Sequence, residues 1–280
     1  MSEILKGNVV AAKIKKEILQ KLNELKDISK YPTLGIVRLG ENPSDISYEK
    51  SIIKNCDAIG IKSKVFEKET TLSTEELIDF IKLLNNDNEI SGILVFRPLP
   101  KHIDEESIRS AVSPLKDVDC MHPLNLEKIF EGDMTGFLPA TPRAAMEILI
   151  HNNIELQGKN VVIINRSMVV GKPLAMMLLE KNATVTICHS RTKDLDEVTR
   201  NADIVITALG KPRFFTEKYF TDKSIVIDVG VSMTEDNKIS GDVDYENVVN
   251  LVDKITPVPG GVGSVTTSIL LNQVVNACVK

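Results

Sequence analysis

Short aliphatic runs recur along this chain, each closed by a turn residue and followed by a stretch with helical spacing. Thr33–Leu39 is stopped by Gly40, Ser63–Glu67 is strand-like, and Gly92–Phe96 ends before Pro98. Between them, Val9–Leu25 and Ser44–Ile59 carry apolar residues at helical intervals, and Gly60 stops the second. Ser73, followed by Thr74-Glu75-Glu76, is an N-cap with acids in the first turn, and it opens a helix to about Asn85. Buried strands joined by helices predict a parallel α/β sheet.

The pattern restarts near Pro139-Ala140-Thr141-Pro142. Arg143–His151 reads as a connecting helix. Strands are predicted at Asn160–Ile164, Ala183–Cys188, Asp203–Ala208 and Ser224–Val229, with helices at Gly171–Lys181 and Asp194–Asn201. That order is a doubly wound nucleotide-binding sheet of Rossmann type. The expected organisation is a first α/β domain over 1–139 and a nucleotide-binding domain over 140–258. A loop and helix over 259–280 return to the first domain.

Composition narrows the class. A chain of 280 residues has material for one large or two modest domains. The net charge of −5 and the absence of a basic tail argue against nucleic acid as a partner. Met1-Ser2-Glu3-Ile4-Leu5-Lys6-Gly7 lacks the basic and apolar regions of a signal peptide, and no apolar run is long enough to span a membrane. Cys56, Cys120, Cys188 and Cys278 are scattered without zinc-ligand spacing, so reduced thiols and no metal site are expected. The expectation is a globular cytoplasmic protein.

Two loops carry chemistry. Ile255–Thr267 packs two prolines and three glycines into thirteen residues, a composition hostile to helix and interior strand. An apolar helix, Ser268–Val279, follows. The loop reads as a rigid wall that lets a flat ligand approach its backbone, or as a tight turn ahead of the helix. The second loop, Asn165-Arg166-Ser167-Met168-Val169-Val170-Gly171-Lys172-Pro173, is not GxGxxG. Still, a strand ends there, Ser167 and backbone N–H groups are offered, and a helix begins at Gly171 with Pro173 in its first turn. The next strand ends in His189-Ser190-Arg191-Thr192. An acid at that tip selects NAD, and a cation or hydroxyl accommodates the 2′-phosphate of NADP. Ser190, Arg191 and the neighbouring Arg166 favour NADP over NAD.

The wording of these segments resembles the methylenetetrahydrofolate dehydrogenase/cyclohydrolase family. NRSMVVGKP, ATVTICHSRT, ADIVITALGKP, VIDVG and GDVD follow the family's GRSxxVGxP, ATVTxCHSxT, ADIVIxAxGxP, VIDVG and GDVD in order. In the first half, PLKDVDC resembles PxKDVDG, GILVFRPLP resembles GILVQLPLP, and Tyr48–Ile61 keeps the spacing of the family's tyrosine helix. PVPGGVG closes the match. The resemblance implies an N-terminal folate-binding domain, dehydrogenation of methylenetetrahydrofolate in one-carbon metabolism, and a homodimer. Tyr48 stacks on the folate and Asp119 holds the pterin, with Val95, Pro259, Gly260 and Gly263 lining the pocket. Asn165, Arg166, Ser167, Ser190 and Val231 contact the cofactor. Asn165 stands where the family has glycine, and asparagine tolerates positive φ better than most residues.

Two departures bear on activity. The resemblance implies a catalytic lysine four residues after the tyrosine, where this chain has Ile52, and a glutamine where it has Phe96. Lys50 and Lys54 are each two positions from Ile52, about 200° around a helix. Losing both polar groups removes the means of moving protons at the reacting carbon. Dehydrogenation, which needs only alignment of folate and cofactor, is expected to persist. The expectation is therefore a dehydrogenase with doubtful cyclohydrolase activity. The alternatives are a fully bifunctional enzyme and a catalytically weak folate- or nucleotide-binding sensor or scaffold. Cys120 for glycine and Ser264-Val265 for Pro-Met are further departures.

Overall fold

A computed structural model of the chain describes residues 2–234, 236 and 238–279. In chain order it forms β1 (Glu3–Ile4), α1 (Gly7–Asp27), β2 (Thr33–Leu39), α2 (Pro43–Ile59), β3 (Lys62–Lys68), α3 (Thr74–Asn86), β4 (Gly92–Val95), α4 (Glu105–Ala111) and α5 (Pro123–Phe130). There follow α6 (Ala140–His151), β5 (Asn160–Ile164), α7 (Gly171–Leu179), β6 (Thr184–Cys188), α8 (Leu195–Arg200), β7 (Ile204–Thr207) and β8 (Ile225–Asp228). The chain ends with β9 (Ser232–Met233), β10 (Ile239–Ser240), α9 (Tyr245–Val248), β11 (Lys254–Ile255) and α10 (Gly263–Val279).

The chain divides into two compact units. One comprises Lys13–Lys128, Met134–Leu138 and Thr267–Lys280; the other comprises Met1–Ala12, Ile129–Asp133 and Pro139–Thr266. The N-terminal segment, expected in the first domain, groups with the second unit here. Its β1 pairs in parallel with β11, so backbone pairing draws it into the second unit. Strands of two residues carry no readable period, and neither β1 nor β11 is visible in the sequence pattern.

The first unit is built on a parallel three-stranded sheet ordered β3-β2-β4. Central β2 is almost wholly buried, which is why it reads as a mainly apolar run. Helix α2 is bounded at both ends. The Asn42 side chain accepts the Ser44 N–H at 2.9 Å, and Gly60 ends the helix at φ 81° in the left-handed region. Ser73 and Glu76 form a reciprocal capping box at the start of α3. Val37, Leu77, Ile81, Ile93 and Ile108 pack together as the core beneath.

A polar exception lies inside this core. Arg38 of β2 is buried and donates through Nε to Glu49 of α2 at 2.8 Å. It also pairs with Glu67 of β3 at 2.7 Å and donates to the Gly40 carbonyl. The pair fixes α2 about its own axis, so that Glu49, Ile52 and Cys56 face inward. Helix α10 returns to this unit as expected, although it starts at Gly263 rather than Ser268. Gln273 on α10 donates to the Val118 carbonyl at 2.6 Å and accepts the Leu138 N–H at 2.7 Å.

The second unit holds a six-stranded sheet ordered β1-β11-β8-β7-β5-β6. All its pairings are parallel. From β5 the chain goes to β6 on one side and returns to β7 on the other, the doubly wound arrangement expected. Val162, Val205, Phe215, Phe220 and Val226 form its core. Two buried acids lock its loops. Asp228 accepts the N–H groups of Gly230 and Val243, and Asp242 accepts that of Lys211. A Cβ on Gly241 would lie 2.0 Å from Asp228, and one on Gly230 would lie 2.1 Å from Asp242. The VIDVG and GDVD segments are thus two halves of one interlock.

Removing one partner of a buried ion pair strands the other. Glu49→Ala should destabilise the protein by about 3 kcal/mol. Glu67 is 67% exposed, and Glu67→Ala should cost less than about 1 kcal/mol. Denaturant midpoints of the two variants test this ordering, and equal losses would contradict it.

Candidate active site

The first-unit residues singled out in the sequence converge at the C-terminal end of β4. Val95 ends the strand, and Phe96 and Arg97 follow it. Helix α2 brings Tyr48, whose ring lies 5.5 Å from that of Phe96, centroid to centroid, at an interplanar angle of 30°. Tyr48 is 46% exposed, while Ile52 is 0% and Phe96 7% exposed. Ile52, one turn on from Tyr48 along α2, and Phe96, beside its ring, are thus apolar and closed to solvent. Lys50 and Lys54 are exposed, on other faces of the helix.

Asp117 and Asp119 have separate roles. Residues Lys116 to Val118 run beside β4, with the Ile93 N–H donating to the Lys116 carbonyl at 2.7 Å. Buried Asp117 accepts the N–H groups of Met121 (2.9 Å) and His122 (2.8 Å) and the Asn125 amide (2.8 Å). It is a structural acid that organises the chain entering α5. Asp119 instead meets Arg97, whose Nη2 donates to Oδ2 at 3.0 Å. Burial pushes Asp119 up to about 6; the Arg97 charge opposes this and Asp117 adds to it. Tyr48 is pushed up to about 12, by loss of solvent and then by Asp119. Cys120 sits at φ 55°, a left-handed conformation that explains why the related motif has glycine there.

In the second unit, the residues expected to contact a nucleotide lie beyond the C-terminal ends of parallel strands. Ile164 of β5 pairs in register with Cys188 of β6, so Arg166 and Ser190 are each two residues past a matched pair. Both side chains are exposed, as is Val231 beyond β8. Asn165 is not among the residues with positive φ, which corrects the expected reason for its acceptance. Its side chain works by hydrogen bonding. Oδ1 accepts the N–H groups of Ser167 (2.8 Å) and Gly171 (3.1 Å), and Nδ2 donates to the Ala208 carbonyl of the β7 end at 2.6 Å. Ser167 accepts the Val170 N–H at 3.1 Å, and the Ser167 carbonyl accepts that of Lys172 at 3.0 Å. These N–H groups serve the turn itself, rather than standing open to a phosphate as expected.

The PVPGGVG loop belongs to this second unit up to the start of α10. Gly260 has φ 103°, and its carbonyl accepts the Gly7 N–H at 2.8 Å. A Cβ on Gly261 would lie 2.4 Å from the Pro257 carbonyl oxygen. Pro259 and Gly263 are exposed at its surface. Among the described residues, no group of three or more His, Cys, Asp or Glu could hold a metal ion, and no helix is long and apolar enough to cross a membrane.

Sequence reasoning missed Arg97, which it gave no role. The signal was there in GILVFRPLP, where the arginine stands at a leucine of the related pattern. Gln273, which ties α10 to the chain just before Asp119, carried no motif at all.

A doubly wound sheet with polar side chains at its strand ends, in a chain with a second α/β unit, defines a two-domain nucleotide-binding α/β protein. Comparison with known proteins narrows that class. "Tetrahydrofolate dehydrogenase/cyclohydrolase, catalytic domain" matches residues 5–119, and "Tetrahydrofolate dehydrogenase/cyclohydrolase, NAD(P)-binding domain" matches residues 139–280. The bifunctional protein FolD of Clostridium botulinum strain Langeland is 55% identical over 277 residues, covering 99% of this chain and 98% of its own. The crystal structure of FolD from Campylobacter jejuni superposes with a TM-score of 0.97 at 41% identity, covering 100% of this chain and 99% of the other. Trypanosoma brucei FolD, solved with NADP cofactor and an inhibitor, matches with a TM-score of 0.93 at 31% identity over 99% of this chain and 97% of its own. The chain belongs to the tetrahydrofolate dehydrogenase/cyclohydrolase family of enzymes.

The nucleotide turn yields a prediction. A Cβ at Gly171 would lie 1.9 Å from the Asn165 carbonyl oxygen and 2.9 Å from the Arg166 nitrogen. Both atoms belong to the Asn165–Arg166 peptide group, which is backbone, so no flexible side chain is there to yield. Gly171→Ala should destabilise the protein by about 2–3 kcal/mol and weaken dinucleotide binding. Wild-type values in both thermal unfolding and dinucleotide titration would show that the turn relaxes freely.

Proposed function

We propose that this enzyme oxidises 5,10-methylenetetrahydrofolate to 5,10-methenyltetrahydrofolate with NADP, and hydrolyses that product little or not at all. The observations that carry the second half are the fully buried Ile52, one helical turn on from Tyr48, and the buried Phe96 whose ring lies beside that of Tyr48. The resemblance implies a lysine and a glutamine at these positions. Removing only one would leave the other buried and unpaired, at about 1–3 kcal/mol. Removing both avoids that cost, and also removes every polar side chain the motif would aim at the reacting carbon.

The two reactions depend unequally on those groups. NADP supplies the hydride acceptor, and the folate nitrogens stabilise the cation left behind. The protein's task is then alignment and exclusion of water. On this reading Tyr48 stacks against the folate, Asp119 accepts N–H donors of its ring, and Val95, Pro259, Gly260 and Gly263 border it. Hydrolysis requires a group that moves protons, and neither Ile52 nor Phe96 can. A second reading, the fully bifunctional enzyme, is favoured by the name of the 55% identical Clostridium botulinum relative. The homodimer implied by the resemblance accompanies either reading.

The assay is spectroscopic. Wild-type protein should accumulate the methenyl product, with hydrolysis no faster than in buffer. Ile52→Lys with Phe96→Gln should restore measurable hydrolysis. Ile52→Lys alone should restore less, because a lysine buried against Phe96 has no partner. Rapid hydrolysis by the unmodified protein would establish the bifunctional reading.

Cofactor choice rests on Arg166 and Ser190 beyond the β5 and β6 tips, where no carboxylate is present to select NAD. Trypanosoma brucei FolD holding NADP adds support. Arg166→Ala should weaken NADP binding by roughly tenfold or more while changing NAD by far less. Equal losses for the two cofactors would remove Arg166 from the 2′-phosphate site.

A further inference from the structure

At the end of β4 the chain carries a cation where the related pattern has leucine. Arg97 is neither free in solvent nor deeply buried: its side chain is 23% exposed, and that of Asp119 is 25% exposed. Its guanidinium reaches two acids. Nη2 donates to Asp119 Oδ2 at 3.0 Å, and Nη1 lies 3.6 Å from Glu105 Oε1 at the start of α4. The first contact is a charge-assisted hydrogen bond; the second is a longer ionic contact.

This geometry leaves Asp119 with capacity. An ionised carboxylate offers about four lone-pair sites on two oxygens. Arg97 is bonded to Oδ2. Oδ1 and the remaining site on Oδ2 suffice for two parallel N–H donors, the pattern presented by a 2-amino-4-oxopyrimidine edge. Arg97 cannot replace the missing lysine as a proton carrier, because guanidinium does not deprotonate in proteins. Its charge is committed to the carboxylates.

We propose that Arg97 is a positioning residue for substrate: it anchors Asp119 through Oδ2 and aims Oδ1 at the ring that the aspartate receives. This rests on the reading that Asp119 holds the folate. Ile52, Phe96 and Arg97 then form one rewired set. The polar groups at the reacting carbon are gone, and a cation serves the carboxylate that grips the substrate.

The groups acting on Asp119 can be named. Arg97 favours its ionised form, while burial and the Asp117 charge oppose that form. Tyr48 and Cys120 also feel its charge, and each is held in its neutral state. Removing Arg97 removes the cation from this balance, so Asp119 should titrate at higher pH. The acid limb of kcat/KM, which reports the free enzyme, should move upward with it.

The test uses the full-length enzyme as Arg97→Leu, Arg97→Lys and Asp119→Asn, assayed for dehydrogenation over a pH series spanning the Asp119 titration. Arg97→Leu should raise KM for methylenetetrahydrofolate about tenfold with little change in kcat, and shift the acid limb upward by about one pH unit. Arg97→Lys should fall between the two, because one ammonium cannot keep both contacts in the same geometry. NADP affinity, unchanged throughout, shows that each variant is folded. Should Arg97→Leu not fold, Arg97→Gln replaces it with the same expectation. A wild-type KM or a wild-type acid limb in the charge-free variant, with Asp119→Asn unable to hold folate, overturns the anchoring role alone. Normal folate binding by Asp119→Asn overturns the substrate assignment and the anchoring role together.

Discussion

The buried pair between Arg38 and Glu49 decides what the first unit can do. It joins the C-terminal end of β2 to one face of α2 at 2.8 Å, with both side chains nearly out of reach of solvent. Charges so placed are stable only while paired, so the helix cannot rotate without leaving Arg38 short of a partner. Ile52 lies three residues on from Glu49 and Cys56 four further, the spacing of one helical face. That face is buried, and Tyr48 stands at its edge. Turning Lys50 or Lys54 inward would require about 200° of rotation and would expel Glu49. With α2 held in this rotation, neither Lys50 nor Lys54 can take the place of Ile52.

The second unit solves a similar problem with acids and glycines. Its loops at the strand ends must be open to a ligand and still be held. Asp228 and Asp242 do the holding from beneath, by accepting backbone N–H groups of the segments that follow β7, β8 and β10. Each acid lies where the opposite glycine has no Cβ. Asn165 does the same at the β5 turn, spanning the gap to the β7 end with one amide. Polar groups tied to the scaffold in this way leave Arg166, Ser190 and Val231 exposed without slackening the loops that carry them.

Much of this architecture was legible because parallel strands buried on both faces are written as apolar runs with glycine or proline stops. Thr33–Leu39 and Asn160–Ile164 came out at the observed limits for that reason. The two-residue strands at Glu3–Ile4 and Lys254–Ile255 were invisible, since partner backbone rather than side-chain period defines them. Tyr48 and Asp119 were legible only as parts of motifs; by themselves an exposed tyrosine and an aspartate say little. Asn165 stands just beyond β5, but the reason expected for its acceptance was wrong, because propensity speaks of φ and cannot see a side chain reaching across a sheet. Arg97 and Asp117 were opaque for a related reason. What each does depends on a partner brought close by the fold.

The altered residues of the first unit also fit one another electrostatically. On the proposed reading the product is a cation. A lone arginine near it would repel it, and a low-dielectric wall such as Ile52 and Phe96 would strengthen that repulsion. Arg97 is not alone: it faces two carboxylates, Asp119 at 3.0 Å and Glu105 at 3.6 Å. The set carries one positive and two negative charges when both acids are ionised. The arginine therefore anchors Asp119 without placing an unbalanced positive charge beside the site. An apolar wall and a neutralised cation are compatible with forming a positively charged product, and neither supplies the proton transfer needed to hydrolyse it.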